Sequence, residues 1–235
     1  ELNKLREYLD VGGNLFALFN FYSLQRPSGL ENFLEEYDFS IGINQVSDSK
    51  NEQAGESGLL LINDFGSHDI TKPILGSRLQ MILPRSVDYL KPEENRDDPP
   101  TITVLANSSD SSQAIIQKRG TSGSVEKQGK IPLMAAKIHK NERQAPARIV
   151  VAGDSLFLGN SAFEAGANRD FANLAVNWLV ERTHLLGIEP RTVREYRINL
   201  SKSEMNSITW VLLLLLPGIT LGIGLLWWRQ QMKQS

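Results

Sequence analysis

Apolar residues dominate one long stretch of the chain, from Ile208 to Trp228, which contains no charged residue. As a helix rising about 1.5 Å per residue, this stretch would cover ~30 Å, the thickness of a bilayer core. Trp227 and Trp228 close it and Arg229 follows, an order typical of a helix that leaves lipid through the headgroups. The pattern therefore predicts a transmembrane helix. The alternative is a buried core helix, which rarely runs this long without a polar face.

The rest of the sequence has the mixed polar and apolar pattern of an ordinary folded domain. Leu2, Leu5 and Leu9 lie on one face of a helix that begins with the first residues. Because the chain opens inside a helical pattern, we expect further sequence upstream of Glu1. The pattern divides the chain into a soluble domain at 1–187, a juxtamembrane segment at 188–207, the membrane helix at 208–228 and a short tail at 229–235.

Short apolar runs in the soluble domain predict strands covered on both faces, as in an α/β sheet. The strongest are residues 14–21 and 148–152. A helix is predicted after Ser28, and the best helical pattern lies at 168–182. Residues 107–130, rich in Ser, Gly, Gln and Lys, predict a long loop. Further strands are predicted at 41–46, 79–83, 101–106 and 131–139.

Composition and charge exclude several classes of function. With Arg229 and Lys233 set aside, 23 Lys and Arg residues stand against 27 Asp and Glu, a net charge of −4 without a basic stripe, so nucleic acid is not an expected partner. The absence of cysteine excludes disulfides, thiolate zinc sites and cysteine catalysis. His68, His139 and His184 have no metal-ligand spacing, and no phosphate-binding glycine loop occurs, so no metal or cofactor is expected.

The segment Gly153-Asp154-Ser155-Leu156 has the signature of GDSL-type esterases, in which the serine follows a strand as the nucleophile. The supporting sequence differs from those enzymes. The Gly-x-Asn turn at 166–168 lacks the following Asp, and the nearest downstream histidine is His184. A membrane-tethered hydrolase using Ser155, with Asp154 or His184 assisting, is therefore the alternative and not the main hypothesis.

The favoured interpretation of this segment is a structural turn at the end of a strand. Gly153 would let the chain turn, and Asp154 or Ser155 would cap the next turn. Ligands bind at the carboxyl ends of strands in open α/β sheets, so a binding crevice is also predicted here. The adjacent His68 and Asp69 resemble a catalytic pair, but local hydrogen bonding in a turn explains them better. The candidate ligand-binding residues are Gly153, Asp154, Ser155, Asn160, Asn168, His68 and Asp69.

Six stretches, in this order, together resemble one family. They are LREYLDVGGNLFAL, GLENFLEEYDFSIG, DFGSHDITKPI, LPRSVDYL, RIVVAGDSLFLGN and NRDFANLAVNWLVER. The chain resembles the C-terminal part of the membrane-anchored auxiliary component of ABC-type transport systems, the family that includes the gliding-motility auxiliary protein. The resemblance covers nearly the whole chain.

The resemblance implies an extracytoplasmic α/β domain with an open, mostly parallel sheet of the flavodoxin-like or glutamine-amidotransferase-like type. It implies a second membrane helix in the missing first half, a location in the cell inner membrane, and association with separate permease and ATPase subunits. It assigns no catalytic residue. The expected function is a non-enzymatic accessory subunit that binds a partner protein, a polysaccharide or a cell-wall component.

Two features of the membrane segment refine this expectation. Pro217 should kink the helix, and Gly218 and Gly222 form a GxxxG pattern that allows close approach of a second helix in lipid. Such a helix would dock on a permease. A third hypothesis is a scaffold whose exposed sheet edge pairs with another chain.

Charge does not support the extracytoplasmic orientation. The positive-inside pattern would put the domain in the cytoplasm, but folded domains override that rule. The cations before the helix are Arg191, Arg194, Arg197 and Lys202, and those after it are Arg229 and Lys233.

Overall fold

The computed structural model describes residues 1–26, 28–54, 56–90, 102–117, 123–140, 145–181 and 200–232. Within these ranges the chain forms twelve strands and five α-helices, with 3-10 helices at Phe21–Gln25, Lys72–Ile74 and Leu156–Leu158. The α-helices are α1 (Leu2–Asp10), α2 (Leu30–Glu35), α3 (Asn168–Leu179), α4 (Lys202–Trp210) and α5 (Leu216–Met232). The strands are β1 (Leu15–Leu18), β2 (Phe39–Ile41), β3 (Gln45–Asp48), β4 (Leu59–Ile62), β5 (Asp64–Phe65), β6 (Leu79–Ile82), β7 (Val87–Tyr89), β8 (Ile102–Asn107), β9 (Ser112–Ile116), β10 (Ser124–Gln128), β11 (Pro132–His139) and β12 (Ala147–Ala152).

The predicted open, mostly parallel sheet is wrong. The largest sheet has five strands in the order β1-β12-β11-β8-β5, and only β1 and β12 run parallel in it. The other three pairs are antiparallel. The chain is therefore not flavodoxin-like or glutamine-amidotransferase-like, but a β-rich domain of small mixed and antiparallel sheets.

Connection lengths explain the antiparallel pairs. A parallel crossover needs a dozen or more residues, usually with a helix. Only residues 140–146 join β11 to β12, so the two strands pair antiparallel. The longer connection from β8 to β11 contains the antiparallel pair β9–β10 in place of a crossover helix. This pair also corrects the prediction of a long loop at 107–130.

Two hydrophobic clusters lie on opposite faces of the five-stranded sheet. Along β12, Ile149 and Val151 join the cluster that contains α1 and α2, whereas Val150 and Ala152 join the cluster that contains α3. This alternation follows from the two-residue period of a strand. Strand β12 is buried on both faces, as its apolar run predicted.

The remaining strands form small sheets around this centre. Strand β3 pairs with β9 and β9 with β10, while β2 pairs with β7 and β4 pairs with β6, all antiparallel. Leu60, Ile62, Leu79 and Met81 from β4 and β6 join the cluster that contains α3. The β4–β6 pair therefore lies on the same side of the central sheet as α3.

One continuous helical segment, Lys202–Arg229, is long and apolar enough to cross a membrane, with a mean hydropathy of 2.2 over its most apolar window. None of that window is buried in the described part of the chain. Residues Val211–Leu215 form a π-helical stretch just before Pro217. Proline lacks an N–H group and clashes with the carbonyl four residues earlier, so the wider turn accommodates it.

Candidate functional site

The carboxyl ends of the parallel strands β1 and β12 meet at one edge of the central sheet. Asn20 follows β1, and Gly153, Asp154 and Ser155 follow β12. The Asn20 Nδ2 donates a hydrogen bond of 2.9 Å to the Ser155 Oγ, and its Oδ1 accepts from the Ser23 backbone N–H at 3.2 Å. The 3-10 helix that begins at Phe21 is therefore fastened to the end of β12.

Asp154 is fully buried, and its carboxylate accepts hydrogen bonds from backbone N–H groups. Oδ2 accepts from the Ile82 N–H at 2.8 Å, and Oδ1 accepts from the Leu156 N–H at 2.7 Å. Burial raises the pKa of Asp154 to about 6, against the lowering effect of the backbone N–H groups. Asp154 thus caps the turn after β12, a role that the sequence predicted for Asp154 or Ser155. Its hydrogen bond to Ile82 also links β12 to β6.

Gly153 lies where two backbone segments approach closely. Its carbonyl accepts from the Arg85 N–H at 2.8 Å, and its N–H donates to the Leu133 carbonyl at 2.9 Å. A Cβ at this position would lie 1.9 Å from the Arg85 carbonyl oxygen. The glycine is therefore required for packing at the strand end.

The buried guanidinium of Arg85 joins three segments beside Gly153. Its Nη1 donates to the Glu31 carboxylate at 2.9 Å and to the Ser23 Oγ at 2.7 Å, and its Nε donates to the Gly42 carbonyl at 2.9 Å. The guanidinium carbon also lies 5.0 Å from the centre of the Phe19 ring. The 3-10 helix, α2 and the segment after β2 are held together by this one side chain.

The other predicted site residues lie in separate places. The Asn168 amide is buried and bonds the backbone of Gln80, Phe157 and Ala162. Asn160 is exposed in the turn before α3. The structure brings Gly153, Asp154 and Ser155 together with Asn20, a residue that the sequence did not single out.

The turn with His68 and Asp69 uses its side chains locally. The His68 Nδ1 accepts from the Ile70 N–H at 3.2 Å, and its ring packs edge-on against Trp178 with 5.0 Å between ring centres. Burial lowers the pKa of His68, so the imidazole is neutral at pH 7. Asp69 forms an exposed ion pair with Lys72.

The environment of Ser155 does not contain the groups of a serine hydrolase within the ranges that the structure describes. The nucleophile needs a base within hydrogen-bonding reach. Here the Ser155 Oγ is held by an asparagine amide, and the adjacent Asp154 carboxylate is engaged by backbone N–H groups. His184, the predicted assisting base, lies outside the described residues.

Ser155→Ala should therefore hydrolyse a test ester at the same background rate as the wild-type protein. The lost hydrogen bond to Asn20 should lower stability by about 1 kcal/mol, a typical net value. Release of p-nitrophenol from p-nitrophenyl acetate and urea unfolding would measure the two effects. A turnover that disappears only in Ser155→Ala would restore the hydrolase hypothesis.

A polar cleft of about 950 Å³ opens next to this strand edge. Phe21 and Tyr22 belong to the 3-10 helix that Asn20 caps, and their ring centres are 4.1 Å apart. The Tyr22 residue is 66% exposed. Across the cleft, the Gln117 amide donates to the Gln45 amide at 3.3 Å. The lining residues are Phe21, Tyr22, Leu24, Gln25, Arg26, Gln45 and Gln117.

Sequence reasoning located the strand edge but not this cleft. The available signal was the aromatic pair Phe21–Tyr22 directly after the apolar run of β1, followed by Gln25 and Arg26. Gln45 and Gln117 gave no signal, because their meeting depends on the β3–β9 pairing of residues far apart in the chain.

Comparison with known proteins gives a likeness of fold. The chain is similar to the solved structure of the "mmIFT52 N-terminal domain", with a TM-score of 0.54 and 15% sequence identity, covering 76% of this chain and 69% of that one. At this identity the likeness shows the fold alone, and it agrees with the correction of the flavodoxin-like prediction. No protein-family model and no curated protein matches the chain.

Proposed function

We propose that the chain is a non-catalytic, membrane-anchored accessory subunit of an ABC-type transport system, with its β-rich domain outside the cytoplasm at the cell inner membrane. Its partners are the permease and ATPase subunits, as the family resemblance of the sequence implies. The observation that supports this proposal best is the apolar helix Lys202–Arg229, which comes after the folded domain in the chain and is left uncovered by its described residues.

The membrane helix presents a face suited to a second helix. A Cβ added at Gly218 or Gly222 would meet no atom of the described chain within 4 Å. Small residues four apart let two helix backbones approach closely in lipid, where packing drives association. This face is the part of the chain that would contact the permease.

The cleft beside the strand edge supports ligand binding without catalysis. Binding sites commonly combine a few fixed polar groups with aromatic surface. The cleft offers an exposed tyrosine ring for stacking, amide groups that both donate and accept, and the guanidinium of Arg26. This chemistry suits the hydroxyl groups and apolar ring faces of a polysaccharide from the cell wall.

Capture of the tagged full-length chain from detergent-solubilised membranes should recover a polytopic permease and an ATPase with a Walker A motif. Gly222→Leu should reduce this recovery several-fold, because the larger side chain keeps the helices apart. Mass spectrometry of the captured proteins measures both results.

Thr220→Leu is the matched control for this substitution. At 100° per residue, Thr220 lies on the helix face opposite Gly218 and Gly222, so recovery should stay at the wild-type level. If neither subunit is recovered with the wild-type chain, the proposed function is wrong. If both variants behave alike, the glycine face is not the contact.

A further inference from the structure

The start of the membrane helix is hydrogen-bonded into the domain as an additional edge segment. The Leu200 carbonyl accepts from the Ala54 N–H at 3.1 Å, and the Lys202 N–H donates to the Glu52 carbonyl at 2.8 Å. Residues 51–53 pair in turn with β4 through Gln53 and Asn51. Because these bonds are backbone bonds, the residue before the helix has a fixed position relative to the β4–β6 sheet.

Side chains fasten the first helical turn to the same sheet. Ser201 and Glu204 form a capping box at the start of α4. The Glu204 carboxylate also accepts two hydrogen bonds from the Arg78 guanidinium, at 2.5 and 3.0 Å. The Arg78 carbonyl accepts from the Ala167 N–H at 2.8 Å, next to the start of α3. The helix is thus held by two backbone bonds and a bidentate ion pair.

The distance to the lipid is short. From Lys202 to Ile208, where the uncharged stretch begins, the helix rises about 9 Å. The headgroup layer on each side of a bilayer is ~5–7 Å thick. Lys50 and Asn51 line a small depression of about 140 Å³ together with Ser203 and Glu204. These residues therefore lie at or close to the depth of the headgroups.

We propose that the membrane helix and the domain form one rigid unit that holds the domain in a single orientation, with the surface of Lys50, Asn51 and Ser203 against the lipid headgroups. Helix α1 then faces away from the membrane, because it packs on the face of the central sheet opposite to β4 and β6. This orientation does not depend on the proposed transport function, since it rests on the contacts of the helix alone.

The cysteine-free sequence allows a direct test by spin labelling. Lys50→Cys and, as the matched control on α1, Glu7→Cys are labelled singly in the full-length chain. Each protein is reconstituted in phosphatidylcholine vesicles that contain a small fraction of lipid with a nickel-chelating headgroup. The label at position 50 should relax several-fold faster than the label at position 7. Equal relaxation at the two positions would overturn the proposal.

Glu204→Gln, introduced into both the Lys50→Cys and the Glu7→Cys proteins, tests the ion pair. Glutamine retains the capping-box geometry but loses the charge that pairs with Arg78. The relaxation difference between positions 50 and 7 should shrink, with the circular dichroism of the domain unchanged. An undiminished difference would show that Arg78 and Glu204 do not hold the orientation, contrary to the proposal.

Discussion

Arg85→Met is expected to lower the free energy of unfolding by about 3–5 kcal/mol, the range for breaking a buried ion pair by removing one partner. Arg85 is 1% exposed, and its guanidinium holds Glu31, Ser23 and the Gly42 carbonyl at once. Methionine fills much of the space but leaves these acceptors without their donor. Urea titration of the full-length chain in detergent micelles, followed by near-ultraviolet circular dichroism, would measure the change.

Two further variants make this prediction specific. Lys72→Met removes the exposed pair with Asp69, whose side chains are 60% and 59% exposed, and should cost less than ~1 kcal/mol. The double variant Arg85→Met/Glu31→Gln should lose less stability than the sum of its single variants, because the carboxylate left unpaired is neutralised. Additive losses would show that Arg85 and Glu31 are not energetically coupled.

Asp154 should make the domain less stable as the pH rises from about 4 to about 6. Burial raises the pKa of Asp154 in the folded state to about 6, from an ordinary value of 3.8. Between these values the folded state binds more protons than the unfolded state, so the free energy of unfolding falls with rising pH. The contribution is fully present below pH 3.8 and lost above pH 6, a difference of about 3 kcal/mol.

Asp154→Asn isolates this contribution from the other carboxylates, several of which have lowered pKa values and act in the opposite direction. The amide keeps an acceptor oxygen but does not ionise. The stability difference between wild type and Asp154→Asn, measured by urea unfolding at pH 4 and pH 7, should therefore change by about 2 kcal/mol, most of the full contribution. A difference that is the same at both pH values would contradict the raised pKa.

Much of the local structure follows from hydrophobic period alone. The run at 14–21 contains β1, the run at 148–152 matches β12 to within one residue, and the helical pattern at 168–182 contains α3. These predictions are confirmed. Positions buried on both faces of a strand, or on one face of a helix, are occupied by apolar residues, so the element can be identified from the residue types. The helix long enough to span a membrane was equally predictable.

Strand direction and pairing were not predictable from the same signal. A buried antiparallel strand such as β11 has the same apolar run as a parallel one, so its Ala135 and Ala136 do not reveal direction. The only local guide was the short 140–146 connection. The polar segment at 107–130 concealed β9 and β10, because every residue of β10 is exposed and it has no apolar face to detect.

The candidate site was likewise predictable in its local structure but not in its long-range contacts. The turn at Gly153 and the capping role of Asp154 followed from residue types, whereas the partners Asn20, Ile82 and Arg85 come from other parts of the chain. A single sequence contains no record of such long-range contacts. The cleft, which depends on the approach of Gln45 and Gln117, could not be predicted for that reason.

The parallel pairing of β1 with β12 also has a consequence for the order in which the chain folds. Leu15 pairs with Ile149, so β1 cannot pair with β12 until residues 147–152 have left the ribosome. Contacts so distant in sequence close slowly. The helix that begins at Lys202 and docks on residues 52–54 leaves the ribosome after β12. The pairing that closes the central sheet can therefore form before this helix docks on the domain.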